Sequence, residues 1–381
     1  MICSTSKFIK LYIPISVVLY YGFSIYIDNY FYNVSKLPLF LNYNNNFNVG
    51  YYYNITWFVI LLFLILSLVF FKPVIYKSKT SNSSSYYIIY FITIICTIAV
   101  LLINIISSSR ADLLKYLNTD YKYFAILLTI ILWLLCFIIL QAKNNIHVFT
   151  SSTFIILVSI IMVDRSYMFM LIVALFMRLR TFNLYKFLIY GLIIFIVFST
   201  WKVFLFHFIF GNKFTLSIFA SNFGFAKIEA IASQSTFINS LNYNLFKIPF
   251  TLDYVLSVID GITPSLILNL NTLTTQDLYI IKLFPEIYKR GGGIGFSLVA
   301  EFVLLFGFYG VFIFLGYLIL LLKFICSTHN VFITYILFIY IFRFCRLDFA
   351  SGIKGALVFG FLSYIVFLSV NKLTRYKYGI S

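Results

Sequence analysis

The residues of this chain that could do chemistry are charged side chains at the ends of long apolar segments, or inside them. Four are arginines: Arg165, Arg290, Arg343 and Arg346. A guanidinium group can bind two oxygens of a diphosphate at once. The fifth is Glu301, which lies among Phe, Leu and Val residues and therefore needs a partner or a proton. Together they predict a diphosphate site in which Glu301 takes the proton of an attacking hydroxyl or orients an arginine.

Each charge also has a purely structural interpretation. Arg165 could pair with the aspartate before it or reach lipid headgroups. Arg343 and Arg346 are three residues apart, so they share a helix face and could simply neutralise Asp348. Glu301 could form a buried ion pair with one of the arginines.

The composition decides which class of protein must position these charges. Of 381 residues, 62% are hydrophobic and only 10% are charged, and the mean hydropathy is +1.00. Too little polar surface remains to cover a water-soluble globule. The net charge of +17 is spread between apolar runs, which argues against a nucleic-acid partner. The five cysteines form no C-x-x-C pair, the three histidines lie far apart, and no nucleotide-binding motif occurs, so no metal or cofactor is expected.

The apolar segments predict an all-α, polytopic membrane protein with about ten transmembrane helices. Segments one to seven occupy residues 1–206, and three more occupy 297–381 together with a C-terminal tail. A loop of about 90 residues, 207–296, separates the two groups and suggests interfacial helices, notably over 216–238. The predicted segments are 11–27, 55–71, 86–106, 123–140, 147–163, 166–177, 187–206, 297–322, 330–345 and 353–370.

The distribution of charge orients these segments. With a cytoplasmic N-terminus, 13 lysines and arginines face the cytoplasm and all 11 acids face outward or lie at outer helix ends. Both termini are then cytoplasmic, and the long loop is periplasmic. Residues 147–177 are few for two crossings, and one kinked helix is the alternative. We favour two short helices with a turn at Asp164 and Arg165, because one helix would break the charge pattern.

Two stretches resemble the Wzy-type polymerases of O-antigen and capsule repeat units. One is GGGIGFSLVAEFVLLFGFYG, residues 291–310, and the other is FRFCRLDFASGIKGAL, residues 342–357. The short turn at Asp164, Arg165 and Ser166 is also similar to that family. The matching positions in the two stretches are Gly293, Gly295, Phe296, Ser297, Ala300, Glu301, Phe306, Gly307 and Gly310, then Arg346, Asp348, Phe349 and Ser351.

The resemblance implies a glycosyltransferase of the bacterial inner membrane. It would move a glycan from undecaprenyl diphosphate onto the next lipid-linked repeat unit at the periplasmic face, without metal or nucleotide sugar. A flippase and a chain-length regulator would be its partners. The implied roles are catalysis for Glu301 and Arg290, diphosphate binding for Arg165, Arg343 and Arg346, and glycan binding or helix packing for Gly293, Gly295, Ser297 and Asp348.

Three other functions stay open at this point. An O-antigen ligase would favour a histidine base in the outer loop, where His207 is the only histidine. A repeat-unit flippase would need internal symmetry and a polar central path, yet no repeat is visible and segment 123–140 is almost uniformly apolar. A membrane acyltransferase would need a histidine-centred site.

Overall fold

The structure of the chain is a computed structural model. It describes residues 2–4, 58, 61–62, 65, 122–142, 144–161, 165–178, 181–183, 236–237, 240, 250–263, 272–285, 296–344 and 347–377. The predicted segments 11–27, 86–106 and 187–206 lie outside these residues. Of segment 55–71, residues 58, 61, 62 and 65 are described, and all four are helical.

The described elements are helices, apart from one pair of short strands, so the all-α prediction is confirmed at that level. Most of the predicted helix bounds in the described part are met within a few residues. In chain order the elements are β1 Ile2–Ser4, α1 Lys122–Gln141, α2 Asn145–Ile161, α3 Arg165–Arg178, β2 Thr181–Asn183, α4 Leu252–Ile262, α5 Thr275–Leu283, α6 Leu298–Phe306, α7 Tyr309–Ser327, α8 Val331–Phe344, α9 Phe349–Gly352, a π-helix Ile353–Val358, and α10 Phe359–Lys377.

Helix α1 forms the centre of the packed core, as expected of a segment that is apolar on every side. It packs against α2, α3 and α10. Trp133 and Phe137 are fully buried there, and the ring of Tyr335 from α8 contacts both edge to face. The Tyr335 hydroxyl donates to the carbonyl of Met170 in α3 at 2.8 Å, which ties α8 to α3.

The segment 147–177 forms two helices, α2 and α3, which pack against each other. This agrees with the two-helix interpretation rather than with one kinked helix. After α3, β2 pairs antiparallel with β1, and Phe182 lies opposite Cys3. The predicted topology assigns both of these strand segments to one face of the membrane, and their pairing is compatible with that assignment.

Among the described residues, two helical stretches are long and apolar enough to cross a membrane: α7, and the continuous stretch Phe349–Val370. The prediction of one helix over 297–322 was wrong. The chain breaks at Gly307, whose φ of 64° suits glycine, and α6 packs back against α7. The backbone carbonyl of Phe302 occupies the space where a Cβ on Gly310 would lie, so this close contact needs glycine at 310.

The long loop contains two described helices, α4 and α5. Both lie outside 216–238, the stretch of the loop that was singled out for interfacial helices. Phe237, near the end of the stretch expected on the membrane surface, is instead buried in the protein core. Most of 207–296 lies outside the described residues.

Candidate functional site

The buried carboxylate of Glu301 is the centre of the candidate site. Ser297 precedes α6 and caps it, since its hydroxyl accepts a hydrogen bond from the backbone N–H of Ala300 at 3.3 Å. Glu301 follows in the first turn of the helix, and only 1% of its surface is exposed. A carboxylate removed from water in this way needs several hydrogen-bond donors to offset its lost hydration.

Three donors from three separate elements supply those hydrogen bonds. The hydroxyls of Tyr254 in α4 and Thr275 in α5 donate to Oε1 at 3.0 and 2.9 Å. The backbone N–H of Phe349 in α9 donates to Oε2 at 2.6 Å. Among the described residues, the donors that reach Glu301 are therefore two hydroxyls and one amide, and no arginine is among them. The predicted ion pair between Glu301 and an arginine is not found in this part of the chain.

Asp348 is the second buried carboxylate of the site. It caps α9, because its Oδ1 accepts from the N–H of Ser351 at 2.9 Å. Its Oδ2 lies 3.5 Å from the backbone nitrogen of Gln276 in α5, which donates to it. The first turn of a helix has N–H groups without partners inside the helix. Glu301 and Asp348 together accept from two of these groups, so the start of α9 offsets the charge of both.

The two loop helices are held by polar contacts of their own. Thr274 and Asp277 form a reciprocal capping box at the start of α5. Asp260 in α4 accepts from the backbone N–H and the hydroxyl of Thr272 at 3.0 and 2.8 Å, which ties α4 to the segment leading into α5. Burial, and then the negative charge of Glu301, raise the pKa of Tyr254, so its hydroxyl keeps its proton and remains a donor.

Arg343 is the predicted diphosphate ligand whose side chain the structure describes. It lies in the last turn of α8, where a cation also interacts favourably with the helix dipole. Its guanidinium group lies directly over Gly355 in the π-helix, and it fills the space that a Cβ at that position would need. The absence of a side chain at 355 therefore makes room for this arginine.

The structure brings some predicted site residues together and leaves others untested. Ser297, Glu301 and Asp348 lie in one connected network, and Arg343 lies against the helix that Asp348 caps. Arg290, Gly293, Gly295 and Arg346 lie outside the described residues, and only the backbone of Arg165 is described. In the described part of the chain, no group of three His, Cys, Asp or Glu side chains could hold a metal ion.

Tyr254 and Thr275 were not predicted as site residues, although two signals in the sequence indicate their helices. Apolar residues recur at helical spacing over 252–259, and Thr274 with Asp277 has the spacing of a capping box. Neither signal shows that the helices fold onto Glu301, which is a tertiary contact.

The chain has no match among family models, curated proteins or solved structures. The likeness to polymerases therefore depends on the two sequence stretches given above.

Proposed function

We propose that this chain is a multi-pass inner-membrane glycosyltransferase of the Wzy type, which polymerises lipid-linked oligosaccharide repeat units at the periplasmic face. In this reaction a hydroxyl of the acceptor repeat unit attacks the anomeric carbon of the donor glycan. The bond from that carbon to undecaprenyl diphosphate breaks, and a new glycosidic bond forms. The diphosphate leaves with its negative charge, and the proton of the attacking hydroxyl passes to a base.

One observation carries the proposal. The two stretches that resemble the polymerases are separated by more than thirty residues in sequence, yet they are joined by the hydrogen bond from the Phe349 N–H to Glu301. Both residues are matching positions in their stretches, and Asp348 beside them is another. A chance likeness in two apolar stretches gives no reason for their matching positions to meet at one buried carboxylate.

Within this proposal Glu301 is a positioning residue. Its Oε1 already accepts from two hydroxyls and its Oε2 from a backbone amide, which leaves little capacity for a substrate hydroxyl. A general base must also reach the proton that it removes, and Glu301 is almost fully buried. The carboxylate instead fixes the start of α9 to α4, α5 and α6.

Arg343 contributes to diphosphate binding in this proposal. It is held against Gly355, six residues after the start of α9, so the anchor at Glu301 also fixes the helix on which the guanidinium lies. Arg165, Arg290 and Arg346 complete the cationic site as sequence-based predictions. A planar guanidinium matches the geometry of diphosphate oxygens better than an ammonium does.

The experiment that tests the function is deletion of the gene, followed by gel analysis of the surface polysaccharide and complementation with the wild-type chain. For a polymerase we expect single repeat units attached to lipid A core after deletion, and long chains after complementation. A ligase or a flippase would instead leave no repeat units on lipid A core. That outcome would overturn the proposal.

A further inference from the structure

Helix α4 is amphipathic, with its polar side toward the protein and its apolar side outward. This is the reverse of a helix on the surface of a soluble protein. Tyr254 and Ser257 point toward the protein, where Tyr254 reaches Glu301 and Ser257 is buried. The outward side carries four apolar residues at helical spacing, which we name the α4 apolar face: Leu252, Val255, Leu256 and Ile259. Leu252 at the start of this face is 72% exposed and Ile259 near its end is 45% exposed.

The segment that leads into α4 lies next to the end of α6, just before the chain enters the membrane-length helix α7. Phe250, just before α4, has its ring 5.6 Å from that of Phe306, the last residue of α6. The chain then turns at Gly307 and enters α7 through the exposed residues Phe308 and Tyr309. Aromatic residues at the end of a spanning helix are typical of the membrane–water interface.

The outer side of α7 consists of exposed apolar residues. Phe312, Ile313, Leu320 and Phe324 are all exposed and apolar, as expected of a helix whose outer side faces acyl chains. The α4 apolar face has the same chemistry, and Phe250 just before α4 contacts Phe306, three residues before α7 begins. The exposed Asp253 lies on one flank of α4, about 110° from the centre of the apolar face on a helical projection. A helix lying in the interface plane would direct such a flank toward water.

We propose that α4 lies in the interfacial layer of the bilayer, with the α4 apolar face against the acyl chains of membrane lipid. The opposite side of the same helix donates to Glu301. Since a helix with its side chains is about 10–12 Å across, the hydrocarbon and the buried carboxylate are about one helix diameter apart. The tail of a lipid-linked substrate could then lie along α4 while its polar part reaches the site. This inference rests on the membrane location in the proposed function but not on the glycosyl-transfer chemistry.

Fluorescence quenching in vesicles tests the inference on the full-length chain. The five native cysteines are replaced, single cysteines are introduced at Ile259, Leu320 and Asp253, and each is labelled with a bimane fluorophore. The protein is reconstituted in phosphatidylcholine brominated at shallow or at deep acyl positions, and iodide is the aqueous quencher. We expect shallow bromines to quench the label at 259 several-fold more strongly than iodide does. We expect quenching by bromolipid at 320 in the middle of α7, and quenching by iodide at 253.

The other outcomes distinguish a wrong position for α4 from a wrong membrane location for the whole protein. If the label at 259 is quenched by iodide and not by bromolipid, α4 faces water and the inference is wrong. If neither quencher reaches it, protein covers the face, for example a second copy of the chain, and the inference is also wrong. If bromolipid fails to quench the label at 320 as well, the membrane location itself is wrong. Leu252 provides a second labelling position should the variant at 259 fail to accumulate.

Discussion

Replacing Glu301 by Gln and by Ala separates the positioning role from the proton-acceptor role. Gln keeps the shape of the side chain, and its carbonyl oxygen can still accept from the N–H of Phe349. Its amide group can then donate to the oxygens of Tyr254 and Thr275, because hydroxyls accept as well as donate. Ala removes every acceptor, so the buried hydroxyl of Thr275 and the half-buried donors of Tyr254 and Phe349 lose their partner.

The magnitudes follow from these contacts. A hydrogen bond to a charged group contributes about 1.5–3 kcal/mol and a neutral one about 0.5–1.5 kcal/mol. The three bonds are weaker with Gln, but the cost of burying a charge is also relieved, so the net loss should be about 1–2 kcal/mol. A buried donor left unsatisfied costs about 1–3 kcal/mol and the two half-buried donors cost less, so the loss with Ala should be roughly 3–6 kcal/mol. That loss is comparable with the whole stability of many proteins.

Two measurements on the same variants check this reasoning. Thermal unfolding of the purified protein in detergent should show a small shift for Glu301→Gln and a large one for Glu301→Ala. Complementation of the deletion strain should give long glycan with Gln and none with Ala. Asp253→Asn, an exposed carboxyl in α4, is the matched control and should behave as wild type. If Gln is as inactive as Ala at equal protein level and near-normal stability, the positioning role is refuted, and the reaction needs the charge or the basicity of Glu301.

Two further predictions concern the neighbours of Glu301. Asp348→Ala removes the cap of α9 and should lower stability by about 1 kcal/mol, whereas Asp348→Asn keeps a good capping residue and should restore most of it; equal melting temperatures for the two variants would contradict the capping role. Gly355→Ala puts a methyl group where the Arg343 guanidinium lies, and a long flexible side chain can move aside, so we expect reduced polymer length with little loss of stability. Gly316→Ala, which has open space around its Cβ position, is the control, and wild-type polymer from Gly355→Ala would show that the placement of Arg343 is unimportant.

The sequence predicted the helical class and several helices well, because those features depend on local composition. Helix α1 was predicted over 123–140 and extends over Lys122–Gln141, since an unbroken apolar run leaves few alternative conformations. The break at Gly307 was missed for the opposite reason. Residues 297–322 are apolar on both sides of that glycine, so hydropathy alone gives no sign of a turn. What decides the break is the close packing of α6 on α7 at Gly310.

The candidate site was predictable only in part. Burial of Glu301 in an apolar helix suggested that it needs a partner, and Ser297 and Asp348 were selected from their sequence patterns. The sequence pointed to arginine as that partner because opposite charge is the simplest compensation. The structure instead uses hydroxyls of two loop helices and a backbone amide, which no spacing rule connects to a glutamate more than 25 residues away.

The placement of Glu301 and Asp348 at the start of one long helix explains why hydroxyls and amides suffice. Residues 349–377 continue through α9, the π-helix and α10 without interruption, so the unpaired N–H groups and the positive end of the helix dipole lie at Phe349. Glu301 and Asp348 accept from this end, and their negative charge is stabilised there. Among the described residues, the hydrogen bonds that reach these two carboxylates come from hydroxyls and backbone amides. In the proposed polymerase, the guanidinium groups serve the diphosphate, whose charge enters the site only when substrate is bound.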